Sequence, residues 1–184
     1  MIPLKPITRV TSAFFLLLLN ACRDVPDSAW LENKYTDSSS QFIMIDGNRV
    51  HYRDEGEGEV IVLIHGTASS LHTWDRWSEH LKSKYRVIRM DLPGFGLTGP
   101  DRLNRYEVSD DVTFLSAFLS SLALTEVNLV GSSLGGRIAW QYALEFPEQL
   151  RSLTLLNALG YPQEKWPPPI ELAQWPIVDR VMEK

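Results

Sequence analysis

Five apolar residues stand in an unbroken run at Val60-Ile61-Val62-Leu63-Ile64. A strand with one wet face alternates apolar and polar residues, whereas a continuous run reads as a strand covered on both faces. Such a strand needs helices above and below its sheet, and the flanking sequence supplies them. Leu71, Trp74, Trp77 and Leu81 recur at helical spacing, and Tyr85 to Met90 reads as the next strand. Val112, Leu115, Phe118, Leu119 and Leu122 mark a second amphipathic helix, followed by a strand over Val127-Asn128-Leu129-Val130. Gly135 to Phe146 is helical in pattern, with Ile138, Tyr142 and Phe146 on one side and Pro147 as the stop. Ser152 to Leu156 is the last clear strand. Upstream, Phe42–Ile45 and Val50–Arg53 flank Asp46-Gly47-Asn48, a hairpin turn signal. Strands alternating with helices predict an α/β fold with a mainly parallel sheet covered on both faces.

Charge narrows the function. The 184 residues carry a net charge of −5, which argues against a nucleic-acid partner. Cys22 is the only cysteine, so no intrachain disulfide and no cysteine-based zinc or iron–sulfur site can form. No metal or organic cofactor is expected.

The first 41 residues read as an export signal and a tether. Lys5 and Arg9 precede the apolar run Val10 to Leu19. That run has the length of a signal-peptide core and is short for a membrane span, which needs about 20 residues. It ends in Leu19-Asn20-Ala21-Cys22, which resembles the lipobox of bacterial lipoproteins. The resemblance implies cleavage before Cys22, lipidation of its thiol and anchoring at the bacterial cell envelope. Residues 1–21 are then a signal peptide and 22–41 a polar tether without apolar periodicity. The α/β segment spans 42–160, and a proline- and tryptophan-rich segment spans 161–184.

The chemistry is expected at strand ends. Gly131-Ser132-Ser133-Leu134-Gly135-Gly136 lies between a strand and a helix, the setting of a G-x-S-x-G nucleophile elbow. Side chains at Gly131 and Gly135 would clash in so sharp a turn. Ser133 is lifted clear of the sheet, and the helix start turns its free N–H groups toward the site. With His65-Gly66-Thr67 and Asp91-Leu92-Pro93-Gly94-Phe95-Gly96, in this order and spacing, the elbow resembles the serine esterase and lipase-like members of the α/β-hydrolase superfamily. The resemblance covers residues 42–160. It implies Ser133 as nucleophile and the N–H groups of Thr67 and Leu134 as the oxyanion hole. It also implies that His65 shapes the oxyanion loop; Asp91, which ends a strand and opens Pro93-Gly94, is read as capping the turn beside that loop. His51, His72 and His80 are not expected to act as bases. Gly94 to Gly99 fits G-x-G-x-x-G, but Pro100 follows where a dinucleotide fingerprint must open a helix.

In this superfamily an acid and then a histidine follow the serine. No histidine follows Ser133 here, and the proline- and tryptophan-rich stretch from Pro162 to Trp175 looks like the start of a lid. Asp179, Glu171 and Glu183 lie in that stretch and are not expected to serve as the acid. The reading is therefore the N-terminal part of a serine hydrolase acting on small carboxylic esters or carbon–carbon bonds, itself weakly active or inactive. Its rival is a non-catalytic, membrane-anchored lipoprotein or inactive remnant.

Overall fold

A computed structural model describes residues 27–160. The expected signal peptide, Cys22 and the lid segment 161–184 lie outside these residues. Six strands form one sheet: β1 (Ser40–Ile45), β2 (Asn48–Glu55), β3 (Val60–Ile64), β4 (Arg86–Met90), β5 (Val127–Ser132) and β6 (Leu150–Leu156). Their spatial order is β1-β2-β4-β3-β5-β6. β2 is antiparallel to both β1 and β4, and the remaining pairs are parallel. Asp46 and Gly47, with φ of 49° and 81°, make the two-residue turn joining β1 to β2.

The alternating parity of β3 splits the core. Val62 and Ile64 join Ile88, Met90 and Leu129 beneath α3 (Val108–Ser121) and α4 (Leu134–Glu145). Ile61 and Leu63 join Val87, Val130 and Trp74 on the other face, beside α2 (Asp75–Leu81). Both faces are covered, as the apolar run requires. A capping box between Glu107 and Asp110 starts α3, whose Val112, Leu115, Phe118 and Leu119 are buried. β6 forms one edge of the described sheet, with Leu153 and Leu155 more than a third exposed.

Two expectations need correction. Residues 22–41 are not simply a tether, because Ser28–Tyr35 forms a helix, α1, and β1 already begins at Ser40. Asp27 caps α1 through the Ala29 N–H, and Glu32 makes a bidentate pair with Arg49. These polar contacts hold a helix that buries none of its residues, which is why apolar periodicity gave no sign of it. The helix expected from Leu71 to Leu81 is split into a 3₁₀ turn, Leu71–Trp74, and α2. The tighter first turn buries Leu71 and Trp74, while Trp77 stays 45% exposed.

One buried acid makes stability depend on pH. Burial, reinforced by the charges of Asp110 and Asp101, pushes the Asp111 carboxyl from 3.8 up to about 6. The native state therefore keeps this proton to higher pH than the unfolded chain. Its stabilising contribution is complete below pH 3.8 and is lost as the pH rises through about 6. Asp111→Asn cannot ionise, so it should stabilise the fold by about 1–2 kcal/mol at pH 8 and much less at pH 4. Urea unfolding at the two pH values checks this, and equal gains would refute it.

Candidate active site

The chain's path places the site. From β3 the first crossover runs to β4 on one side, and the next returns past β3 to β5 on the other. Crevices at the carboxyl ends of strands form where the winding reverses in this way. The segments leaving β3 and β5 at that point carry Gly66-Thr67 and Ser133.

Ser133 sits alone between β5 and α4 with φ 54° and ψ −114°, a strained conformation for a residue with a side chain. The turn is pinned from three sides. The Ser133 N–H donates to the Leu156 carbonyl at 3.0 Å, and the Ser133 carbonyl accepts from Arg137 and Leu159 at 3.1 and 3.0 Å. Glycine is required around it. A Cβ on Gly131 would lie 2.7 Å from Gly136 Cα, and one on Gly135 would meet the backbone of Ile64 and His65. One on Gly66 would lie 2.9 Å from Ser133 Cβ. That last contact brings the loop after β3 against the serine. The sequence marks Gly66 only as a member of the His65-Gly66-Thr67 motif, and its contact with Ser133 has no local signal.

Thr67 follows Gly66 in an exposed turn, next to Ala68 at φ 54°. Leu134 is the first residue of α4, and no side chain caps that helix start. Among the described residues neither the Thr67 nor the Leu134 backbone N–H has a hydrogen-bond partner. Two backbone donors, one from each segment, are thus left free near a raised serine.

No histidine hydrogen-bonds Ser133. His65 is fully buried; its Nδ1–H donates to the Gly66 carbonyl at 2.8 Å, and its Nε2 accepts the Leu92 N–H at 3.0 Å. Burial holds its pKa below the usual imidazole value, so it is a neutral ring with both nitrogens committed. His72 contacts Asp75 and the Tyr35 carbonyl, and His80 the Arg76 carbonyl. His51 lies against Asp91 and Ser40. Asp91 is buried; burial pushes its carboxyl up, but hydrogen bonds from His51, Leu71 and Leu97 outweigh this and hold it below the usual range. A cavity of about 290 Å³ opens beside Asp91, between Leu31 and Tyr35 of α1 and Leu97, with neither Ser133, Thr67 nor Leu134 in its wall. Among the described residues no cluster of His, Cys, Asp or Glu could hold a metal.

The profile of the alpha/beta hydrolase fold family matches residues 59–178. The chain belongs to that family. It is 33% identical over 123 residues to a 2-hydroxy-6-oxo-2,4-heptadienoate hydrolase of Pseudomonas putida, covering 65% of this chain and 45% of the relative. It is 34% identical over 139 residues to a cis-3-alkyl-4-alkyloxetan-2-one decarboxylase of Shewanella oneidensis, covering 73% and 43%. Among solved alpha/beta hydrolase structures, a bacterial membrane phospholipase A superposes with TM-score 0.68 at 27% identity, over 86% of this chain and 54% of that one. The chain spans less than half the length of the two curated relatives.

Proposed function

We propose that this chain is the nucleophile-bearing part of a serine hydrolase that cleaves small carboxylic esters, or carbon–carbon bonds, by acyl transfer. The observation that carries the reading is Ser133 held at φ 54° between β5 and an uncapped helix start. Ser133 Oγ attacks the carbonyl carbon, and the N–H groups of Thr67 and Leu134 receive the developing oxyanion. Serine at the elbow disfavours members of the family that use an aspartate nucleophile. The hydrolase relatives support the reaction class, and no metal or organic cofactor is invoked.

A base is the missing part. With all four histidines engaged elsewhere, Ser133 has no base beside it among the described residues and is there only a weak nucleophile. That observation keeps a second reading open, a non-catalytic envelope lipoprotein or inactive remnant. Prolonged incubation with a fluorophosphonate separates the two. Slow labelling that mass spectrometry maps to Ser133, and that Ser133→Ala abolishes, supports the hydrolase. Labelling that survives Ser133→Ala rejects Ser133 as the nucleophile.

We further propose export and anchoring at the bacterial cell envelope through lipid on Cys22, on the strength of Lys5, Arg9, the leucine run and Ala21-Cys22. Several acyl chains on one cysteine would give the stable attachment that one chain does not. Cells fed radiolabelled palmitate should label the wild type and not Cys22→Ala. Equal labelling of both would exclude lipidation at this residue.

A further inference from the structure

The loop that carries Thr67 is fixed at both ends by one dipeptide on β4's exit. At its start, His65 Nε2 accepts the Leu92 N–H. At its end, the Leu71 N–H donates to Asp91 Oδ1 at 2.8 Å. The Asp91 carboxylate therefore holds one end of the loop 65–71, whose Gly66 lies against Ser133.

The direction of that carboxylate is set from the far side of β4. Asp91 Oδ2 accepts the Leu97 N–H at 2.9 Å and His51 Nδ1–H at 2.8 Å. The side chains of His51 and Asp91 are 0% and 2% exposed, so bulk water competes little for these bonds. With Oδ2 doubly engaged, Oδ1 is left facing Leu71. The imidazole is fixed in turn, because its Nε2 accepts the Ser40 hydroxyl at 3.1 Å. The backbones are clasped as well: the Asp91 N–H donates to the His51 carbonyl at 2.9 Å.

We propose that His51 is a positioning residue, which through the Asp91 carboxylate holds the loop that presents the Thr67 N–H to Ser133. The proposal rests on the reading of Ser133 as nucleophile and of the Thr67 N–H as oxyanion donor.

Ser40, His51 and Asp91 also form a hydroxyl–imidazole–carboxylate series, but Ser40 is not placed as a second nucleophile. Its oxygen already accepts the Asp37 N–H at 3.2 Å and the Arg53 Nε–H at 3.3 Å. With its proton given to His51, both lone pairs are occupied. The series ends in a satisfied hydroxyl and transmits position.

The test compares the full wild-type chain with His51→Leu and His51→Gln. Leucine removes the donor, whereas the glutamine amide can still donate to Asp91. Amide hydrogen exchange at Leu71 and Leu97 should quicken by about tenfold or more in His51→Leu and return toward wild type in His51→Gln. Fluorophosphonate labelling of Ser133 should slow by about tenfold in His51→Leu, less than the ~10²–10³ for outright loss of one oxyanion donor. Glutamine should restore that rate too. Unchanged exchange at Leu71 and Leu97 in His51→Leu overturns the proposal, as does labelling mapped to Ser40. If Ser133→Ala still labels, the reading of Ser133 falls while the exchange data still decide whether His51 holds the loop. A measurement without variants guards against misfolding: the wild type should show a slowly exchanging imidazole Nδ1–H resonance from His51. Its absence also overturns the proposal.

Discussion

Gly135→Ala will cost the fold about 4 kcal/mol or more, a large part of the roughly 5–15 kcal/mol that holds a typical domain together. In an exposed helix interior the same exchange would gain about 1 kcal/mol, because alanine is the better helix former. Here the sign reverses. Gly135 lies in the first turn of α4, and its Cα is pressed against the end of β3. An added methyl would lie 2.7 Å from the Ile64 carbonyl carbon and closer still to the Ile64 and His65 carbonyl oxygens. These are backbone atoms of a central strand with parallel partners on both sides, so they cannot swing away as a side-chain end would. Relief requires α4 to lift off β3, which opens the packing of Ile138, Ala139 and Tyr142, all fully buried. Thermal unfolding should show a lower midpoint or no cooperative transition. An unchanged or raised midpoint would contradict the close approach of β3 and α4.

Purified 184-residue chain will hydrolyse an activated ester such as p-nitrophenyl acetate only about 10³–10⁴-fold faster than water, the level that oxyanion stabilisation and binding sustain without a working triad. Complete enzymes reach at least about 10⁶-fold. A serine hydroxyl attacks well only as a base removes its proton, and none of the four histidines hydrogen-bonds Ser133: His51, His65 and His72 engage both ring nitrogens elsewhere, and His80 engages one with the Arg76 carbonyl. His65 adjoins Gly66, which lies against Ser133, but its Nδ1–H is given to a carbonyl and its Nε2 is occupied by the Leu92 N–H. Turnover at ordinary enzyme rates, lost in Ser133→Ala, would mean that a base does reach the serine. Steady-state kinetics of the wild type beside Ser133→Ala and His65→Gln would identify it.

The legible features were those governed by local sterics and by burial. The run Val60 to Ile64 specified a doubly covered strand, because a residue facing water on either side would have broken the apolar sequence. Gly131 and Gly135 marked the sharp turn around Ser133, because a Cβ at either would meet backbone atoms. Asp46-Gly47 specified the hairpin through the positive φ that both residues accept. Helix α1 left no periodic trace because it buries nothing. The break between Leu71–Trp74 and α2 was hidden because a tightened first turn keeps the apolar spacing nearly intact.

The residue pattern by itself determined the order of the strands from β1 to β6, the two-sided core and the place of Ser133 at the end of β5. Each follows from periodicity or from a steric demand within a few residues. Tertiary structure alone decided what surrounds that serine. Gly66 meets Ser133 across 67 positions of chain, His51 meets Asp91 across 40, and Leu71 meets Asp91 across 20. Such contacts arise because β4 lies between β2 and β3, and β3 beside β5, which brings distant strand ends to one edge of the sheet. A buried carboxylate must then satisfy its oxygens from whatever donors the packing delivers, and no local pattern encodes which donors those are.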